Sequence, residues 1–282
     1  MNARKNKKHK HTRKGIEMIR KLSEEGKQIF TIIDAKKIAQ SCEISEQYVN
    51  EALYYLSQDG WITRLKRGLY LISSTFPGIV PAHEFEIAMF LAKPAAISHW
   101  SALYFHGMTE QIPQKVYVTT SGNISVPRKI SLPGDNQRSF IRKVNNVIYI
   151  FIKVKKERVF GIKEYWIGEK KVTITDPERT LIDGLISPKY FGGWAEVYNA
   201  FNLYISKVNL DKMISYALHL DTAVAKRLGW ILEKNGVEDK KLQKLLSLPV
   251  KGYRTLNSAG SRRGPYNKKW MIQENISVKE TK

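Results

Sequence analysis

Between Phe30 and Ile72 apolar and polar positions fall into a readable order. Val49, Ala52, Leu53 and Leu56 recur at i, i+3, i+4 and i+7, which predicts a helix with one apolar stripe turned inward. Gln47, Asn50, Glu51 and Tyr54 are left facing outward. Ser45 is placed to cap this helix and Gly60 marks its end. A shorter helix before it begins at Thr31 or Asp34 and runs through Gln40, and the polar run from Ser41 to Ile44 makes the turn. Trp61 to Leu65 and Leu69 to Ile72 are rich in β-branched and aromatic residues, and they flank Lys66-Arg67-Gly68. That pattern predicts a hairpin with two cations at its tip. Upstream, Ile16, Met18, Ile19 and Leu22 keep helical spacing until Gly26. The elements add up to a winged helix-turn-helix over residues 15–73.

In such a unit the second helix enters the major groove, while the wing and the preceding helix hold phosphates. Gln47 and Asn50 carry amides that can pair bidentately with adenine, and Ser45, Tyr48, Glu51 and Tyr54 are the other candidate contacts of this segment. Lys36, Lys37, Arg64, Lys66 and Arg67 supply the sequence-independent attraction. The competing reading is a winged helix that binds only protein, with these cations a solvated face.

Before it, residues 1–14 are a run of cations with almost no apolar content, expected as a mobile basic arm. After it, two prolines and a glycine mark a linker over residues 74–82. A helix is expected from His83 to Ala92, stopped by Pro94. Ser98 can cap a further helix through His106. Strands are expected at Lys115–Thr120, Ser139–Val144, Val147–Val154, Lys163–Ile167 and Lys171–Thr175, with turns at Asn145-Asn146 and Gly168-Glu169. Asp176-Pro177-Glu178 opens a helix, and the spacing is then helical over Trp194–Tyr204, Leu210–Leu220, Thr222–Asn235 and Asp239–Leu246. Trp270 and Ile272 pin the polar stretch after Pro249 to the body. The fold class read from this is α+β: an N-terminal winged helix-turn-helix, then a mixed α/β domain over residues 83–276 ending in a helical bundle.

Charge sharpens the picture. The 282 residues carry 47 Lys and Arg against 26 Asp and Glu, a formal +21 that favours a polyanionic partner. No stretch approaches the roughly 20 apolar residues of a membrane span, and the single cysteine, Cys42, excludes an internal disulfide and a cysteine-based zinc site. A cytoplasmic setting is expected. Cations continue downstream: Lys153, Lys155, Lys156, Arg158, Lys163, Lys170 and Lys171 crowd the strand region, and Arg262, Arg263, Lys268 and Lys269 the later stretch. They define a second candidate nucleic-acid surface, for flanking DNA or RNA, set against a merely solvated face.

Other constellations read as decoys. Asp176, Glu178 and Asp183 imitate a metal or acid–base site, but helix capping and an i, i+4 pairing with Arg179 account for them. His99 and His106 share a helix face without a third ligand. Asp135 with Glu169, Lys170 and Lys171 loosely imitates a nuclease, yet Glu169 falls in a turn. Gly260-Ser261 is followed by cations, where a nucleotidyltransferase needs carboxylates. No catalytic residue, cofactor or metal is expected.

Two segments carry a resemblance: ISHWSALYFHGMTEQIP from Ile97, and ITDPERTLIDGLISPKYFGG from Ile174 to Gly193. With the winged segment and RRGPYNKKWMIQEN, they resemble the AbiEi family, the antitoxin and transcriptional-regulator half of type IV abortive-infection toxin–antitoxin pairs. The resemblance runs from Phe30 to about Ile276; the long basic arm departs from it. It implies an N-terminal domain that represses its operon through inverted repeats in double-stranded operator DNA. It also implies a C-terminal domain that counteracts a nucleotidyltransferase-like toxin without a stable complex. A stand-alone regulator of the same architecture is the alternative, and a metal-dependent nuclease the reading from another class.

Overall fold

The computed structural model describes residues 2–78, 81–124 and 139–276. The chain divides into two compact units. The first runs to Leu91 and takes in Lys143–Val147; the second holds the rest from Ala92 onward.

In the first unit, α1 (Asn2–Glu24) turns Met18, Ile19 and Leu22 fully inward. Its helical backbone continues through the stretch expected to be a mobile arm. The physical reason is that lysine and arginine propagate a helix almost as well as alanine once the apolar turns from Ile16 to Leu22 have nucleated it. Next come β1 (Ile29–Thr31), α2 (Ile32–Ala39) and α3 (Val49–Gln58), then the hairpin of β2 (Ile62–Lys66) and β3 (Leu69–Ile72). The three strands lie antiparallel in the order β1-β3-β2, with Phe30 opposite Tyr70 and Ile62 opposite Ile72. Phe30, Ile38, Val49, Leu53, Leu56 and Ile72 form the core. Phe76 joins them edge-on to Trp61, so part of the expected linker is packed. A helix, α4 (Glu84–Leu91), completes the unit.

The second unit is built on a six-stranded mixed sheet: β4 (Ala92–Ile97), β5 (Val116–Ile124), β6 (Ser139–Val144), β7 (Val147–Lys153), β8 (Ile162–Ile167) and β9 (Lys170–Thr175), in the order β6-β7-β5-β4-β9-β8. At its centre β4 runs antiparallel to β5 and parallel to β9. β4 corrects the expectation that Pro94 only ends a helix. The helix stops at Leu91, and Pro94 sits inside a strand, at a break in register between Lys93 and Ala95 where its missing N–H is tolerated. Gly122 lies across that bulge, where a Cβ would come within 1.9 Å of the Lys93 carbonyl.

α5 (His99–Phe105) packs on β5 of this sheet and against α6 (Pro177–Ile186); α7 (Trp194–Tyr204), α8 (Leu210–Leu220) and α9 (Thr222–Lys234) pack on α6, and α10 (Asp239–Leu246) packs on α9. Leu103, Ile150, Ile152, Leu181, Trp194, Phe201, Met213, Leu228 and Leu245 meet in one core. Asp176, Asn209 and Asp221 cap α6, α8 and α9 by accepting the N–H three residues on. The helices are not the last element, as the sequence suggested. A small sheet follows, β10 (Arg254–Thr255), β11 (Tyr266–Asn267) and β12 (Ile272–Gln273), in the order β10-β12-β11. Trp270 is fully buried, its indole N–H donating to Glu233 at 2.8 Å. Its ring lies over Gly229 of α9, where a Cβ would approach it to 2.0 Å.

Candidate nucleic-acid interface

The candidate interface starts with a reciprocal cap on α2. Asp34 N–H donates to Thr31 Oγ1 at 3.2 Å while Thr31 N–H donates to Asp34 Oδ2 at 2.9 Å, so both sequence candidates take part, Thr31 as the cap and Asp34 at the third helical position. Burial works against the Asp34 carboxylate, but the Thr31 hydrogen bonds and Lys27 hold it below its usual range. The turn that follows is a short 3-10 stretch, Gln40–Cys42, closed by Glu43 at φ 52. Cys42 and Ile44 point into the core, and burial pushes the Cys42 thiol up. Lys36 reaches Glu46 at 2.6 Å, tying the first helix to the start of the second.

Ser45 stands at the head of the second helix, but its side chain makes no capping hydrogen bond, and Glu46–Tyr48 form a 3-10 turn before α3 begins at Val49. Val49, Ala52, Leu53 and Leu56 are all buried. Ser45, Gln47, Tyr48, Asn50 and Tyr54 are exposed and Glu51 is half-buried. In the wing, Arg64 and Arg67 are exposed, and Gly68 at φ 71 makes the tip with Arg67. Lys66 departs from the expected tip position. It belongs to β2 and its ammonium donates to the Phe90 carbonyl at 2.7 Å. Lys37 is exposed on α2, and one turn before it stands Ile33, 61% exposed. Sequence reading passed over Ile33 because an apolar residue in a helix is first assigned to the core.

The residues of the second candidate surface lie on separate elements. Lys153 ends β7, and Lys155, Lys156 and Arg158 lie in the loop after it. Lys170 and Lys171 belong to β9, with β5 and β4 between. Several of these charges are engaged: Lys155 with Glu157 at 3.8 Å, Arg158 with Asp221 at 3.2 Å, and Lys171 with Glu164 at 3.2 Å.

The decoy carboxylates are tied into the fold. Lys212 lies 2.9 Å from both Asp176 and Glu178, Tyr216 donates to Asp176 at 2.9 Å, and Arg179 Nε donates to Asp183 at 2.9 Å. Burial works against the Lys212 charge, but hydrogen bonds to Glu178 and Asp176 raise its pKa well above the ordinary value. His99 and His106 diverge. His99 is buried beside the Ser98 hydroxyl at 2.8 Å, and burial lowers it to about 4 against the pull of Asp183. His106 Nε2 donates to the Thr175 carbonyl at 2.7 Å. Glu169 sits in the β8–β9 turn, and Asp135 lies outside the described residues. Among the described residues no three His, Cys, Asp or Glu side chains gather as metal ligands, and no helix is long and apolar enough to cross a membrane.

Comparison with curated proteins finds no match. The fold is similar to that in the crystal structure of the RV2827C protein from Mycobacterium tuberculosis, with a TM-score of 0.64 and 14% identity over 90% of this chain and 88% of that one. Residues 17–73 match a family model described as "Transcriptional regulator, AbiEi antitoxin". The matched stretch runs from α1 to the end of the wing and contains Ser45, Gln47, Tyr48, Asn50, Glu51 and Tyr54.

Proposed function

We propose that this protein is a DNA-binding transcriptional regulator of the antitoxin type. It reads double-stranded operator DNA with the winged helix-turn-helix of its first unit and counteracts a nucleotidyltransferase-like toxin through its second. The observation that carries the reading is the face of α3: its apolar stripe is spent on the core, while Gln47, Asn50 and Tyr54 stand exposed on the segment that matches the family. Gln47 and Asn50 read base edges, each good bidentate pair contributing about 1–3 kcal/mol of discrimination. Lys37, Arg64 and Arg67 hold phosphates. Lys36 and Lys66, already engaged with Glu46 and the Phe90 carbonyl, position the helix and the wing instead.

The test is a mobility shift over a range of salt with the DNA upstream of the gene. Wild type should prefer that DNA and lose affinity steeply as salt rises. Gln47→Ala with Asn50→Ala should abolish the preference yet keep the salt dependence; Arg64→Ala with Arg67→Ala should lower the salt slope by about 2. Wild-type binding that favours no sequence would remove the regulator reading. Charge reversal of Lys153, Lys155 and Lys156 tests whether the second unit also touches the duplex, since an unchanged slope would exclude that contact. The antitoxin half is tested by co-expression with a nucleotidyltransferase encoded beside the gene, whose growth arrest the full chain should relieve.

A further inference from the structure

The second unit contains a cavity that the regulatory reading does not use. It has a volume of about 800 Å³ and opens between α9 and the small sheet of β10, β12 and β11, within the size range of small-ligand sites. Arg227, Arg254 and Arg262 line it, with Tyr253 and Tyr266 beside them. Arg227 is 8% exposed and held in place: its Nε donates to the Thr255 carbonyl at 2.9 Å and its Nη1 to the Leu185 carbonyl at 3.1 Å. Arg254 and Arg262 are exposed, and neither forms an ion pair among the described residues. Burial above all, and then the charge of Arg254, push the Arg227 guanidinium down from its ordinary value, against the pull of Asp221.

Three guanidinium groups around one opening repel one another, and a bound oxyanion would relieve that repulsion. Their planar forks suit phosphate oxygens better than a compact ammonium would. The tyrosines add a second chemistry. Their rings meet at 4.6 Å with 55° between planes, and they remain 40% and 59% exposed. Open aromatic faces beside a basic cleft are what a planar base stacks on. We propose that this cavity binds nucleoside phosphates: Arg254 and Arg262 take the phosphate, Arg227 sets the charge of the floor, and the base stacks on Tyr253 and Tyr266. The ligand is a free nucleotide or one unit of a single-stranded nucleic acid.

The experiment is calorimetric titration of the full chain with ATP, a short oligouridylate and inorganic tripolyphosphate. The base-bearing probes should bind more tightly than tripolyphosphate. Arg254→Ala with Arg262→Ala should weaken all three by about tenfold or more. Tyr253→Leu with Tyr266→Leu should weaken only the base-bearing probes, by about tenfold. All four side chains are exposed, so melting curves should confirm an intact fold, and Gln47→Ala with Asn50→Ala should leave this binding unchanged. Tighter binding of oligouridylate than of ATP assigns the cavity to single strands, and the reverse order to free nucleotides. The proposal is overturned by tripolyphosphate binding as tightly as ATP, by affinity indifferent to the arginine pair, or by no binding of either base-bearing probe.

Discussion

The first unit closes its core with Met18, Phe30, Val49, Leu53, Leu56 and their apolar neighbours, whereas the second buries Asp176, Glu178, Arg179, Asp183, Lys226 and Arg227 within its packing. Among the described residues every buried polar or charged side chain belongs to the second unit. An apolar core holds no buried charge to lose as the pH falls. A buried polar network is stable only while each member keeps its partner, since an orphaned buried charge costs more than the pair contributed. Lys226 shows how the second unit manages this: its ammonium donates to the carbonyls of Leu245 and Leu246, at the negative end of α10. The difference makes the second unit the pH-sensitive one and the first the one whose surface can change at little cost.

The largest effect should come from Trp270→Ala. Losing a fully buried indole should cost about 3–5 kcal/mol, read as an earlier denaturant transition of the second unit while that of the first stays in place. A loss below about 1 kcal/mol would mean that α9 does not depend on that ring. Next is acid. His99 has a folded pKa of about 4 against about 6.5 unfolded. Between those values the unfolded chain binds the extra proton. Stability is therefore complete above about pH 6.5 and falls by up to about 3 kcal/mol as the pH approaches 4. His99→Asn, which tolerates the residue's φ of 53, should flatten that part of the profile, and an unaltered profile would assign the acid sensitivity elsewhere.

Smaller again is Lys212→Met, which leaves Asp176 and Glu178 without their shared ammonium. Because Lys212 is partly exposed, the loss near neutral pH should be about 2 kcal/mol. Burial opposes it, but Lys212 and the Asn209 N–H hold the Glu178 carboxyl below its usual range. That stabilisation is present above the unfolded carboxylate pKa and lost as pH falls through the folded one. Wild type and variant should therefore converge in acid, and a gap independent of pH would point to lost packing instead. The smallest change is expected for Gln47→Ala with Asn50→Ala in the first unit: stability within about 0.5 kcal/mol of wild type. A larger loss would show that those amides serve the fold.

Much of this architecture was legible because its elements are long and periodic. Trp194–Tyr204, Leu210–Leu220 and Asp239–Leu246 occur with the bounds that their apolar spacing predicts, and the stripe of Val49, Ala52, Leu53 and Leu56 points inward as read. β4 was hidden because Ala92-Lys93-Pro94-Ala95-Ala96 has weak strand propensity and owes its conformation to the neighbours on either side. The helix of the basic stretch was missed because composition measures what can be buried, not what an existing helix can propagate. The arginine and tyrosine cavity was invisible for another reason: its strands are two residues long, too short for any period, and Arg227 joins Arg254 and Arg262 only through the fold. Lys66 and Lys36 show the limit for charges. Sequence counts a cation but does not reveal whether a carbonyl or carboxylate already holds it.

The place of β4 between β5 and β9 has a consequence for synthesis. Residues up to Phe76 suffice to close the core of the first unit, but Ile97 pairs with Ile174 and its sheet cannot be completed before that strand leaves the ribosome. At about 5–20 residues per second, several seconds separate the two events. For that interval the nascent chain carries a finished winged core ahead of an unfinished sheet, so α3 is in place before the second unit exists.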